Sequence, residues 1–110
     1  MLSELYVLVV DDDPTQIELT KLFCQELTYP KIKLFTAETA EKAYTVLQKE
    51  TIDLVLSDYR LPKDSGNDIL AFSKKLNPFI QVVIMTAFEN IQQAIEVLKN
   101  GASDYLVKPT

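Results

Sequence analysis

Histidine and tryptophan are absent from this 110-residue chain; cysteine occurs once, at Cys24, and glycine twice, at Gly66 and Gly101. Without histidine there is neither a histidine-based nucleophile triad nor a histidine-containing zinc site, and a single thiol excludes an internal disulfide framework. Two glycines cannot build the Gly-rich phosphate cradle of nucleotide-binding folds. Positive charge is also scarce: 11 Lys and Arg against 16 Asp and Glu leave a formal charge of -5. That balance opposes the electrostatic footprint of a nucleic-acid binder, so no direct nucleic-acid binding by this chain is expected. No apolar run approaches the roughly 18 residues of a bilayer span, and no charged-then-apolar leader opens the sequence. A cytoplasmic location without membrane contact is the expectation. Whatever chemistry the chain carries must run on carboxylates, hydroxyls and amines.

What is present is an alternation of strand-length apolar runs with segments of helical period, the pattern of a parallel sheet covered by helices. The runs are Leu5 to Val10, Ile32 to Phe35, Ile52 to Leu56, Gln81 to Met85 and Tyr105 to Val107. The first is apolar at successive positions, as in a strand buried on both faces. Asp13-Pro14-Thr15-Gln16 reads as an N-cap with proline in the first turn, which predicts a helix from Pro14 to about Leu27. Ala40, Ala43, Tyr44 and Leu47 form one helical stripe; Ile91, Ala94, Ile95 and Leu98 form another. Ser65-Gly66-Asn67-Asp68 opens a further helix through Ile69, Phe72 and Leu76, and Gly101 stops the last one. The expected fold is α/β: a doubly wound, five-stranded parallel sheet with right-handed crossovers.

In such sheets ligands gather outside the carboxyl ends of the strands. The residues there are Asp11-Asp12-Asp13, Ser57-Asp58, Thr86-Ala87 and Lys108-Pro109. Taken singly, each has an ordinary explanation as a cap, a turn, a satisfied hydroxyl or a surface lysine; their occurrence on one rim is what points to a site. Carboxylates brought together there would repel unless a cation sat among them. All-oxygen ligation suits Mg²⁺, which favours sites that also receive phosphate oxygens. An aspartate can accept a phosphoryl group as an acyl phosphate where the developing charge meets a metal, an amine and a hydroxyl. Lys108 and Thr86 are the available amine and hydroxyl.

These marks resemble the receiver domain of two-component response regulators, a CheY-like, flavodoxin-like fold of strand order 2-1-3-4-5. The resemblance rests on Val9-Val10-Asp11-Asp12, on Ser57-Asp58 with Leu61-Pro62 and Gly66, on Met85-Thr86-Ala87, and on Gly101 through Pro109. The stretch Gly101 to Leu106 is similar to receivers of nitrogen-regulation-type activators. The resemblance implies that Asp58 is the phosphoacceptor. Asp11, Asp12, Asp58 and the Arg60 backbone carbonyl would hold Mg²⁺, Lys108 would meet the phosphoryl oxygens, and Thr86 and Tyr105 would switch. Asp13 matches no metal position and is left as a cap. Arg60 and Phe88, two residues beyond Asp58 and Thr86, would flank the path of hydrolytic water and slow loss of the phosphoryl group. The implied partners are a sensor histidine kinase or phosphotransfer protein, which would supply the histidine lacking here, and an output domain or downstream protein. The chain would be a switch with self-catalysed phosphorylation and slow autodephosphorylation, not an enzyme.

The whole of residues 1–110 reads as one receiver domain that stops before the family's fifth helix. A sheet face left bare in that way would favour pairing into a homodimer, swapping or instability. Two other readings stand beside the switch. Asp11-Asp12-Asp13-Pro14-Thr15 also satisfies the Asp-x-Asp-x-Thr pattern of haloacid-dehalogenase-like phosphatases, with Asp11 as nucleophile, although no later acidic motif or cap region accompanies it. The other is a receiver-like interaction module that never takes phosphate.

Overall fold

In the computed structural model, residues 4–27, 31–87 and 90–108 are described. The first apolar run forms β1 (Glu4–Val10), and the Asp13 carboxylate accepts the Thr15 N–H at 2.9 Å to open α1 (Pro14–Glu26). There follow β2 (Lys31–Ala37), α2 (Ala40–Lys49), β3 (Leu54–Asp58), α3 (Gly66–Leu76), β4 (Gln81–Thr86), α4 (Ile91–Lys99) and β5 (Asp104–Val107). All pairings are parallel and the strand order is β2-β1-β3-β4-β5. That is the expected architecture. Because β1 connects backward to β2 while every later crossover runs forward, right-handed connections place α1 on one face and α2, α3 and α4 on the other.

Alternation along the strands separates two apolar sets. Leu8, Val10, Val55, Val82 and Ile84 pack with Ala40, Ala43 and Leu47 of α2, Ile69 and Leu70 of α3, and Val97 of α4, all buried. Tyr44 and Phe72 stack beside them with ring centroids 4.3 Å apart. Val7, Val9 and Ile17 are buried on the α1 side, where Leu54, Leu56, Val83 and Met85 remain half-buried. Leu19, Leu22 and Phe23 of α1 are exposed, as is Leu106 of β5. Among the described residues, no helix is long and apolar enough to cross a membrane.

The third strand starts two residues later than its apolar run suggests. Asp53 is taken up by backbone pairing at the strand entrance: its N–H donates to the Tyr6 carbonyl at 2.8 Å, its carboxylate accepts the Tyr6 N–H at 2.9 Å, and its carbonyl accepts the Gln81 N–H at 3.0 Å. Ile52 is thus a buried plug below the sheet, and the strand extends at its other end to include Asp58. The stripe read on α4 also differs. Ile91, Ile95 and Leu98 are exposed, and the fully buried residue is Val97. Facing the short edge strand β5, the helix has too little sheet beneath it to bury its whole apolar surface.

Ser73 on α3 is fully buried, and among the described residues its Oγ is the buried side-chain atom without a hydrogen-bond partner. An unsatisfied buried hydroxyl costs about 1–3 kcal/mol, and alanine is the better helix former. Ser73→Ala is therefore expected to stabilise the domain by about 1 kcal/mol, raising Tm by about 4 °C. Thermal unfolding followed by circular dichroism checks this; an unchanged or lowered Tm would contradict it.

Candidate functional site

The parallel register brings the carboxyl ends of β1, β3, β4 and β5 to one rim. Val10 pairs with Ser57, Asp58 with Met85, and Thr86 with Val107, so Asp11, Asp58, Thr86 and Lys108 arrive side by side. The ladder continues past the strand ends: Asp11 N–H donates to Ala37 carbonyl at 3.0 Å, Tyr59 N–H to Met85 carbonyl at 2.7 Å, and Lys108 N–H to Thr86 carbonyl at 2.7 Å. Backbone pairing thus fixes each functional side chain at its root, before any side-chain contact is made.

Asp11 is almost wholly buried. Its Oδ1 accepts the Asp13 N–H at 3.0 Å and its Oδ2 accepts Lys108 Nζ at 2.6 Å. Lys108 Nζ also lies 3.4 Å from Asp58 Oδ2. Carboxylate oxygens of Asp11, Asp12 and Asp58 lie within 4.8 Å of one another, with Asp12 exposed and Asp58 half-buried. Burial raises the Asp58 pKa above the ordinary carboxylate value; Lys108 opposes that shift, and Asp11 and Asp12 add to it. For Lys108, burial disfavours the charge, but the hydrogen bond it donates to Asp11 and the field of Asp58 prevail and hold its pKa above the usual lysine value. One ammonium therefore faces three carboxyl groups, leaving the rim net negative and suited to a further cation.

The loop after Asp58 is held tightly. Arg60 and Ser65 form an antiparallel bridge, with Gly66 N–H donating to the Tyr59 carbonyl at 2.6 Å and Leu61 N–H to the Asp64 carbonyl at 3.1 Å. A Cβ on Gly66 would stand 3.1 Å from the Asp58 carbonyl oxygen, the Tyr59 Cα and the Ile84 Cδ1. Two of those neighbours are backbone and cannot yield, which explains the glycine. Asp68 accepts the Ser65 N–H at 2.8 Å, closing the start of α3 as its sequence predicts.

Of the residues singled out in the sequence, Asp11, Asp12, Asp58 and Lys108 are brought into one cluster. Thr86 is buried at the end of β4, one residue beyond Asp58's register partner. Half-buried Tyr105 donates its hydroxyl to Gln93 Oε1 of α4 at 2.8 Å. The Arg60 side chain is exposed. Phe88 lies outside the described residues. Sequence reasoning missed Gln93, because nothing in the helical period of α4 shows which of its polar side chains would face β5.

The chain matches the response regulator receiver domain family over residues 7–110. It is 37% identical over 103 residues to the alginate biosynthesis transcriptional regulatory protein AlgB of Pseudomonas putida, covering 94% of this chain and 22% of AlgB. It is also 37% identical to the response regulator protein PilR of Pseudomonas aeruginosa, covering 98% of this chain and 24% of PilR. The chain thus spans about a quarter of the length of these curated relatives. Among solved structures, a response regulator receiver domain protein from Clostridium thermocellum superposes with a TM-score of 0.84 at 33% identity, covering 96% of this chain and 83% of that one. The response regulator TrrA from Thermotoga maritima, solved in complex with Mg²⁺ and beryllium fluoride, gives a TM-score of 0.82 at 28% identity, covering 96% of this chain and 87% of that one. These matches do not favour the phosphatase reading, and in this fold both Asp11 oxygens are already engaged. The rim of acids around one half-buried lysine and the match along nearly the whole sequence agree, and the chain belongs to the response regulator receiver domain family.

Proposed function

We propose that Asp58 is the phosphoacceptor of this receiver and that a phosphohistidine on a sensor kinase or phosphotransfer protein is the donor. The observation that carries the assignment is the position of Lys108 Nζ, between the buried Asp11 carboxylate and the less buried Asp58. Asp11 is occupied by two hydrogen bonds, whereas Asp58 is the more accessible of the two, and its raised pKa marks a basic carboxylate. In the transfer, the donor's N–P bond breaks as an Asp58 oxygen forms its bond to phosphorus, and the freed imidazole retains its electron pair. Lys108 lies within reach to meet negative charge on the phosphoryl oxygens.

The donor set fits a hard divalent cation: three carboxylates with oxygens within 4.8 Å of one another, in a chain that has no histidine. Asp11, Asp12, Asp58 and the Arg60 carbonyl would hold Mg²⁺, which when bound offsets the charge that gathers on the phosphoryl oxygens. Thr86 and Tyr105 act as the switching pair, Thr86 by turning its hydroxyl toward the new phosphate and Tyr105 by changing its place beside α4. The exposed Arg60 side chain, two residues beyond Asp58, shields the phosphoryl group from water and lengthens its life. The location is cytoplasmic, and an output domain or downstream protein reads the surface around α4 and β5.

Incubation with acetyl phosphate and Mg²⁺, followed by borohydride trapping and peptide mass spectrometry, tests the assignment. Label on Asp58, lost when the Mg²⁺ is chelated, is the expected result. Label on Asp11 with turnover would favour the phosphatase, and an unlabelled protein would leave an interaction module.

A further inference from the structure

A polar bridge ties α4 to the acceptor loop by a route that does not involve Thr86 or Tyr105. Asn67, the second residue of α3, donates from Nδ2 to Glu96 Oε1 in the middle of α4 at 2.6 Å. Its own Oδ1 accepts from Asn100 Nδ2, at the end of the same helix, at 3.4 Å. One side chain therefore holds α4 at two points a helical turn apart, and the stronger contact ends on a carboxylate. Asn67 follows Gly66, whose N–H is bonded to the Tyr59 carbonyl and where a side chain would meet the Asp58 carbonyl oxygen. The contacts run without a gap from the acceptor through Tyr59, Gly66 and Asn67 to α4.

The helix at the far end is lightly anchored. Val97 is its one fully buried residue among the nine, and its large apolar side chains Ile91, Ile95 and Leu98 are 71%, 48% and 47% exposed. Where packing supplies so little, polar contacts decide where the helix rests. We propose that Asn67 and Glu96 form a clasp that holds α4 in its resting position and thereby sets how much phosphoryl chemistry at Asp58 is needed to move it. Both are positioning residues: neither reaches the acidic rim. The inference rests on the reading of Asp58 as acceptor, and it adds a second mechanical connection from the acceptor loop to α4.

A clasp made in the resting state alone biases the equilibrium toward that state, and its loss raises apparent affinity for whatever favours the other. Beryllium fluoride with Mg²⁺ is the probe, titrated into the protein while the backbone amide signals of α4 are followed by NMR. Asn67→Ala and Glu96→Ala are expected to lower the midpoint of the α4 response about five-fold, the scale of one exposed charge-assisted hydrogen bond. Glu96→Gln keeps an acceptor oxygen for Asn67 but loses the charge assistance, and is expected to lower the midpoint by only about two-fold, a partial rescue that general loosening of the fold would not produce. Both alanine variants titrating within two-fold of the unaltered protein would overturn the clasp, as would Glu96→Gln shifting as far as Glu96→Ala. A different failure marks the underlying reading: the unaltered protein would then show no response to beryllium fluoride at Asp58.

Discussion

Asp58→Asn is expected to reduce phosphoryl incorporation from acetyl phosphate to background, a loss on the order of 10³-fold or more, because an amide supplies no anionic oxygen to attack phosphorus. The same substitution should make the metal-free domain more stable at neutral pH. Asp58 has its pKa raised by burial, with Asp11 and Asp12 adding to the effect against Lys108. An acid raised on folding binds more protons in the native state, so its ionisation removes stability as pH climbs from the ordinary carboxylate value through the raised one. Above that window the penalty is complete; below the ordinary value it is absent. Asparagine carries no such penalty, so its Tm advantage should be present at neutral pH and vanish in acid. Radiolabel or mass spectrometric quantification reads the first effect and thermal melts across pH read the second. Retained acyl phosphate in the asparagine variant would end the assignment of Asp58.

Lys108→Ala should have the opposite effect on stability. The Lys108 side chain is 11% exposed and that of Asp11 2%, with 2.6 Å between their charged atoms. Removing one member of a buried ion pair leaves the other charge uncompensated, which costs about 3–5 kcal/mol. In the metal-free protein Tm should fall by roughly 12 °C or more. Mg²⁺ should restore much of this, and bind more tightly than to the unaltered protein, because the ammonium that competes for the same carboxylates is gone. Propagation of phosphorylation to α4 by way of β5 should be lost, since the cation that would join the phosphoryl group to β5 is missing. Melts with and without Mg²⁺, together with α4 amide shifts after beryllium fluoride addition, separate the two effects. A metal-free Tm within 2 °C of the unaltered protein would show that Lys108 contributes little to the rim.

The order of elements was legible because each apolar run and helical stripe is local. The run from Leu5 to Val10 needs no partner to be read as a buried strand, nor does Asp13-Pro14 as the start of α1. Gathering Asp11, Asp58 and Lys108 followed from the general rule that parallel strands end on one rim, and the register bears out that arrangement. What escaped the sequence depended on neighbours. Ile52 looks like strand until Asp53 is seen pairing with Tyr6 and Gln81. Ile91, Ile95 and Leu98 read as one apolar stripe yet lie exposed, because periodicity reports an apolar side without reporting whether enough sheet lies beneath it. Asn67 and Glu96 are 29 positions apart and meet only once α3 and α4 have packed. Such polar pairs leave no local trace.

The bond between Asp11 and Lys108 joins residues 97 positions apart, one just past the inner strand β1 and the other just past the edge strand β5. Contacts of such separation close late, after the intervening chain has been ordered. During synthesis, then, Asp11 stands without its lysine until 97 further residues have been added. A nascent or nicked chain should take up no phosphoryl group, so that competence to accept one doubles as a certificate of finished assembly.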